Sequence, residues 1–166
     1  MKKLVLVSAL LFTISYQINA QWYPQYISSE GFVGINKFTS NNIGWATSNN
    51  PSKIYKSNDG GETWNIVRHT DGPISSVYIL NDSIGWYTDK DSYGCRLIGT
   101  TDGGTNWQQK FNGVYYSFDC LYFFNSLNGL AFGSFGAPAS GAFFKTSNGG
   151  INWEIFDIGF YPYCCF

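Results

Sequence analysis

The chain has 166 residues, of which 44% are hydrophobic and 19% aromatic, and its formal net charge at pH 7 is −1. Only 13% of the residues are charged, against about 25% in typical globular domains. No basic stripe is present that would attract nucleic acid or an anionic lipid surface, so neither is expected as a partner.

The first predicted element is a secretory signal peptide at residues 1–20. Lys2 and Lys3 precede an apolar run from Leu4 to Ile14, and Ala20 stands before the expected cleavage site. This layout is typical of export signals, and the apolar run is too short to span a bilayer. Removal of the two lysines leaves 8 basic and 11 acidic residues, a net charge of −3. We expect an exported protein (periplasmic, surface-bound or secreted) whose mature part, 21–166, has no membrane span.

A unit of about 43 residues then occurs three times. Each copy contains a turn with two adjacent glycines, SNDGGETW at 57–64, TTDGGTNW at 100–107 and TSNGGINW at 146–153. Short stretches rich in β-branched and aromatic residues flank each turn, which is typical of strands. Four short strands in a unit of this length match one blade of a β-propeller.

The residues of these turns have predicted structural roles. The glycines can adopt positive φ and reverse the chain tightly. The Asp or Asn side chain can accept hydrogen bonds from backbone N–H groups, the hydroxyl can form weaker local bonds, and the Trp can cover the turn. The predicted turn residues are Ser57, Asp59, Gly60, Gly61, Trp64, Thr100, Asp102, Gly103, Gly104, Trp107, Thr146, Asn148, Gly149, Gly150 and Trp153.

The pattern Ser/Thr-x-Asp/Asn-x-Gly-x-x-Trp resembles the Asp-box, or BNR repeat, of sialidases, xyloglucan-degrading glycosidases, the sortilin luminal domain and photosystem II assembly factors. The Gly-Trp pairs at 44–45 and 85–86 make it most similar to the last group. The resemblance covers about residues 30–158. It implies an all-β fold with four-stranded antiparallel propeller blades at about 30–70, 73–113 and 116–158. It also implies that the boxes are structural and lie away from catalytic centres.

Residues 159–166 are predicted to begin a further blade, so the three blades form an open arc or part of a larger propeller. Two interpretations remain open. The polypeptide is an incomplete gene product, or its last strand pairs with its own N-terminal part or with another copy. The two end blades would each expose an apolar face, and we therefore expect self-association.

No catalytic, cofactor-binding or metal-binding site is predicted. A sialidase needs three arginines around the substrate carboxylate, and this chain has only Arg68 and Arg96. No pattern brings together two of the candidate carboxylates, which are Glu30, Asp71, Asp89, Asp91 and Asp119. Asp89 and Asp91 are expected in a solvated loop, and His69 is expected to be a loop residue without a catalytic partner.

Four cysteines are present, at Cys95, Cys120, Cys164 and Cys165. In an exported chain they can oxidise. A disulfide between Cys95 and Cys120 and a pair of buried free thiols are both compatible with the sequence.

Binding residues are sought outside the repeat signature. Candidate aromatic platforms for sugar rings are Trp22, Tyr23, Tyr26, Tyr115 and Tyr116. The stretch 133–144 is predicted to be an inserted contact loop in the third blade, and 92–97 its counterpart in the second. The leading hypothesis is an exported, non-catalytic binding or scaffold protein that contacts protein or glycan at the cell envelope. The alternative is a fragment of a propeller glycosidase whose catalytic residues lie on other blades.

Overall fold

The computed structural model describes residues 33–90 and 94–159. Within these residues the chain forms only β-strands, and it contains no helix long and apolar enough to cross a bilayer. The strands are β1 (Val33–Phe38), β2 (Gly44–Asn49), β3 (Ser52–Ser57), β4 (Asn65–His69), β5 (Ile74–Ile79), β6 (Gly85–Lys90), β7 (Gly94–Thr100), β8 (Gln108–Val114), β9 (Tyr116–Phe123), β10 (Gly129–Phe135), β11 (Ser140–Thr146) and β12 (Glu154–Asp157).

The strands form three four-stranded antiparallel sheets, each in chain order. We call them blade 1 (β1–β4), blade 2 (β5–β8) and blade 3 (β9–β12). Their second and third strands share one register, which pairs Gly44 with Ser57 in blade 1 and Gly85 with Thr100 in blade 2. The predicted all-β fold with three four-stranded antiparallel blades is confirmed. The predicted signal peptide lies outside the described residues, as does the predicted start of a further blade at 159–166 except for its first residue, Gly159.

Connections alternate between two ends of the blades because every pairing is antiparallel. The links from the third to the fourth strand, which contain the paired glycines, lie at one end, together with those from the first to the second strand. We call this the Gly-Gly end. The hairpins from the second to the third strand and the links between blades lie at the opposite end, which we call the loop end.

Side chains alternate between the two faces of each blade. On blade 1, Trp45 and Ile54 pack against Tyr87 and Ile98 of blade 2. On blade 2, Trp86 stacks on Phe123 of blade 3, with ring centroids 3.7 Å apart and planes 3° apart. We call the face that meets the following blade the trailing face, and the opposite one the leading face. Burial of such side chains, worth about 1.5–3 kcal/mol each, holds consecutive blades together.

Most of the stretch 133–144 is strand, so its predicted assignment to a loop is wrong, although the connection is longer than the two-residue turn of blade 1. Strand β10 runs to Phe135 and β11 starts at Ser140, where the two residues pair. A turn of four residues, 136–139, connects them. Gly94 and the residues that follow it likewise belong to β7, while 91–93 lie outside the described residues. The small residues of these stretches indicated a loop, but hairpin pairing satisfies their backbone groups.

Candidate functional site

A hydroxyl organises each Gly-Gly turn. In the first turn, Ser57 Oγ accepts hydrogen bonds from the backbone N–H of Gly61 at 2.8 Å and of Asp59 at 3.3 Å, and it donates to Asp59 Oδ1 at 2.7 Å. The second and third turns repeat this pattern with Thr100 and Thr146. All three hydroxyl residues are buried. The hydroxyl therefore satisfies a buried N–H group, a larger role than the sequence suggested.

The side chain of the Asp or Asn in each turn accepts hydrogen bonds from the residue that precedes the Trp. Asp59 accepts from Thr63 N at 2.9 Å and from Thr63 Oγ1 at 2.5 Å. Asp102 accepts from Asn106 N at 2.8 Å and from Asn106 Nδ2 at 2.7 Å. These bonds, from Thr63 first and then from Ser57, lower the pKa of the Asp59 carboxyl to about 2. The carboxylates of Asp59 and Asp102 thus accept hydrogen bonds from residues of their own turns.

Sequence reasoning missed the polar position before the Trp. It holds Thr63 in the first turn and Asn106 in the second, and Asn152 donates its backbone N–H to Asn148 Oδ1 at 2.9 Å in the third. The signal was present, because all three copies carry Thr or Asn there.

The Trp and the second glycine close each turn. The indole Nε1 of Trp64, Trp107 and Trp153 donates to the carbonyl of the second glycine of its own turn at 3.0–3.1 Å. Gly104 has a φ of +90°, and a Cβ there would lie 3.3 Å from both Trp45 and Val67 of blade 1. The glycine therefore allows both the backbone conformation and the close approach of the preceding blade.

The loop end contains a buried ion pair that the sequence did not predict. Arg96 donates from Nε to Asp89 Oδ1 at 2.9 Å and from Nη2 to Asp89 Oδ2 at 2.8 Å. Its Nη1 also lies 3.1 Å from Oδ2 of the exposed Asp71. Asp89 is fully buried in β6, so its predicted place in a solvated loop is wrong. Arg96 brings two candidate carboxylates together, and its single positive charge balances that of the buried Asp89. Asp91 and Glu30 lie outside the described residues.

A second arginine links blades 1 and 2 nearby. Arg68 in β4 donates from Nε to the hydroxyl of the buried Tyr87 at 3.0 Å. His69, the next residue, is exposed at the end of β4. The two arginines thus bond different partners, Arg68 a phenol and Arg96 two carboxylates.

Tyr115 is the most exposed large apolar side chain of the described residues, at 67%. It forms the whole link between β8 and β9 at the loop end. Its φ of +62° is the only positive value among the described residues other than glycine. The carbonyl of Tyr115 accepts a hydrogen bond from Gly136 N at 3.0 Å, which joins this link to the turn 136–139. A tyrosine rarely adopts this conformation, and such backbone strain is concentrated at functional sites.

The other predicted aromatic platforms differ from Tyr115. Tyr116 is half-buried and packs edge-on against Phe111, with ring centroids 5.4 Å apart. Trp22, Tyr23 and Tyr26 lie outside the described residues. Near Tyr115, Val114 is 55% exposed. The loop end therefore presents one prominent ring beside an exposed aliphatic side chain and charges of both signs.

The two described cysteines are not joined to each other. Cys95 is buried between blades 2 and 3, and this burial raises the pKa of its thiol to about 11. The structure therefore does not contain the Cys95–Cys120 disulfide, and Cys120 is half-buried. Among the residues that the structure describes, no group of three or more His, Cys, Asp or Glu side chains is placed to hold a metal ion.

An apolar cleft of about 620 Å³ lies beside the first strands of blades 2 and 3. Its walls include Tyr78 of β5, Tyr122 of β9 and Phe132 of β10. Tyr78 and Tyr122 face each other, with ring centroids 5.1 Å apart. The cleft borders the trailing face of blade 3.

The fold is a β-propeller fold, as solved structures of similar architecture show. The chain is similar to YCF48 bound to a D1 peptide, at 21% identity and a TM-score of 0.57, with 80% of this chain and 44% of that one covered. It is also similar to an ancestral GH74 enzyme, at 18% identity and a TM-score of 0.60, with 84% of this chain and 20% of that one covered. A weaker likeness is to YCF48 from Cyanidioschyzon merolae, at 25% identity and a TM-score of 0.48, covering 74% and 35%.

The chain spans less than half the length of these solved structures. No protein-family model and no curated protein matches it. The similarity therefore defines the fold class, which YCF48 and an ancestral GH74 enzyme share, and it leaves the activity to be argued from the site.

Proposed function

We propose that this chain is an exported, non-catalytic binding or scaffold protein built of Asp-box propeller blades. It contacts a protein at the cell envelope through its loop end. The observation that carries the proposal is Tyr115, a strained tyrosine held 67% exposed between blades 2 and 3. Exposed aromatic residues with fixed backbones lose little entropy on binding and dominate many interfaces.

Charged side chains on blades 2 and 3 also favour a protein ligand. Lys90 lies 3.4 Å from Asp119, and both side chains are about half exposed. Such a pair offers a peptide a cationic and an anionic contact in addition to an apolar anchor. The complex of YCF48, a protein of similar fold, with a D1 peptide supports a peptide as the ligand class. A glycan is the other ligand class to be tested.

The alternative is a glycosidase whose catalytic residues lie on other blades, and the two carboxylates at this loop end do not form a catalytic pair of their own. A pair of catalytic carboxylates must leave room for the sugar between them. The guanidinium of Arg96 occupies the space between Asp71 and Asp89, and Asp89 is fully buried. Neither carboxylate is placed to protonate a glycosidic oxygen while this pairing persists.

Selection from a displayed peptide library against the purified chain tests the proposal. Enriched peptides should bind Tyr115→Ala at least tenfold more weakly than the unsubstituted chain, which is the loss expected for an aromatic hot spot. Ile66→Ala, which removes an exposed apolar side chain from β4 of blade 1, is the matched control and should bind normally. If no peptide is enriched while a glycan array or a xyloglucan hydrolysis assay gives a signal, the proposal is wrong.

A further inference from the structure

The trailing faces of the three blades carry equivalent residues. In the shared register, Trp45 pairs with Lys56 in blade 1, Trp86 with Gly99 in blade 2 and Leu130 with Lys145 in blade 3. The first two faces are covered by the leading face of the following blade. The third face is apolar but partly open: Tyr122 and Phe156 are each 46% exposed, and Lys145 is exposed.

Each covered trailing face reaches the same backbone group of the following blade. Lys56 Nζ donates to the carbonyl of Gly103, the first turn glycine of blade 2, at 3.0 Å, and to the carbonyl of Asp82 at 3.0 Å. Trp86 Nε1 donates to the carbonyl of Gly149, the first turn glycine of blade 3, at 3.2 Å. In both interfaces, therefore, the hydrogen bonds from the trailing face are made to the Gly-Gly end of the following blade.

Blade 3 has the side chains needed to make the same contact with a Gly-Gly end. Lys145 has the position of Lys56, and Leu130 has the position of the two tryptophans. Beside them, the rings of Phe132, Phe143 and Phe156 form a continuous strip with centroids 5.3 and 5.5 Å apart. The cleft of about 620 Å³ beside Tyr122 extends this apolar surface toward the first strand.

Blade 1 of the same chain offers the matching acceptor. Its Gly60 and Asn41 have the positions of Gly103 and Asp82, and both are exposed. The equivalent glycines are covered by a preceding blade: Gly103 of blade 2 is half-buried and Gly149 of blade 3 is buried. Ala46 and Tyr55 at the centre of this leading face are buried, so the surface left for a partner is the Gly-Gly end and its rim.

Charge also favours this pairing. In blade 2, Asp82 and Asp102 attract the Lys56 ammonium. In blade 1, Asp59 and Glu62 flank the exposed Gly60 turn. Lys145 would therefore meet an anionic turn, as Lys56 does.

We propose that the trailing face of blade 3 docks the Gly-Gly end of blade 1 in a second copy of this chain, with Lys145 donating to the carbonyls of Gly60 and Asn41. In a two-fold pair, each copy provides both surfaces, so the two contacts are equivalent and the assembly closes. This interface is separate from the loop end, where Tyr115 lies.

Light scattering on the full chain as purified, over a range of concentrations, tests the proposal. The unsubstituted chain should form dimers, and Lys145→Glu should raise the dimer dissociation constant at least tenfold. Adding Asn41→Lys to Lys145→Glu should restore the dimer, because the charges are then exchanged across the contact. Lys110→Glu, a charge reversal on β8 of blade 2, is the matched control and should leave the dimer unchanged.

Leu130→Asp is a second test, since it places a carboxylate beside the apolar strip. It should produce a monomer whose circular dichroism matches that of the unsubstituted chain. A chain that is monomeric at every concentration would overturn the proposal, as would a dimer that Lys145→Glu leaves intact. Because Lys145→Glu should leave peptide binding unchanged and Tyr115→Ala should leave the dimer intact, the two proposals fail separately.

Discussion

Arg96 donates two hydrogen bonds, of 2.9 and 2.8 Å, to the carboxylate of Asp89, and the Asp89 side chain has no exposed surface. The two residues face each other across the β6–β7 hairpin, where their backbones are paired. A buried carboxylate is stable only while a partner neutralises it. The pair therefore ties the loop end of blade 2 to its core.

Removal of the guanidinium should destabilise the fold strongly. Arg96→Met leaves the Asp89 carboxylate buried without its cationic partner, and we expect a loss of about 3–5 kcal/mol in the free energy of unfolding. Asp71→Ala removes only the outer contact, whose carboxylate is 68% exposed, and should cost about 0–1 kcal/mol. Chemical denaturation of both variants measures the difference. Equal losses would contradict the assignment of Asp89 as the main partner.

Substitution of the second turn glycine should also destabilise the fold. Gly104→Val forces a β-branched residue to a φ of +90° and pushes its side chain against Trp45 and Val67. We expect a loss of about 1–3 kcal/mol, and the same for Gly61→Val. Gly60→Asn is the matched control, because Asn tolerates positive φ and this position is exposed. If the valine variants melt at the same temperature as the unsubstituted chain, the structural role assigned to the turns is wrong.

The turns could be predicted from the sequence because three copies repeat the same residue types, and each type has a local physical reason. Asp89 could not. It stands beside Lys90 and near Asp91, a composition typical of a solvated loop, and its partner is found only once the hairpin register is known. A shift of one residue would place Asp89 on the other face of the sheet.

Tyr115 shows a second limit of sequence reasoning. Its residue type made it one of five candidate platforms, but nothing local predicts a φ of +62° at a tyrosine. That value follows from the tight link between β8 and β9 and from the bond that joins it to Gly136. Similarly, the contact proposed for Lys145 is found only when the trailing faces are compared in register.

Export is a prediction that the described residues do not address. If residues 1–20 form a signal peptide, mass spectrometry of envelope or secreted fractions should find a mature chain that starts at or near Gln21. Replacement of Leu10 and Leu11 by Asp interrupts the apolar run and should retain the chain in the cytosol. Cytosolic material with an intact Met1 from the unsubstituted gene would contradict the prediction.

Stability should fall in acid because of the first Gly-Gly turn. The hydrogen bonds from Thr63 and Ser57 lower the pKa of the folded Asp59 carboxyl from 3.8 to about 2. Since the folded pKa lies below the unfolded one, the ionised form stabilises the fold. This contribution is complete above about pH 4 and is lost as the pH falls toward 2. Asp102, whose pKa is lowered chiefly by the Asn106 backbone N–H, contributes in the same direction.

The third turn supplies the control for this acid effect. Asn148 occupies the equivalent position there and makes the same backbone bond without a titrating group. Asp59→Asn should therefore fold, and its stability should depend less on pH between 4 and 2 than that of the unsubstituted chain. Thermal melts at several pH values compare the two slopes. Parallel slopes would show that the Asp59 carboxylate is not held by its turn in the folded state.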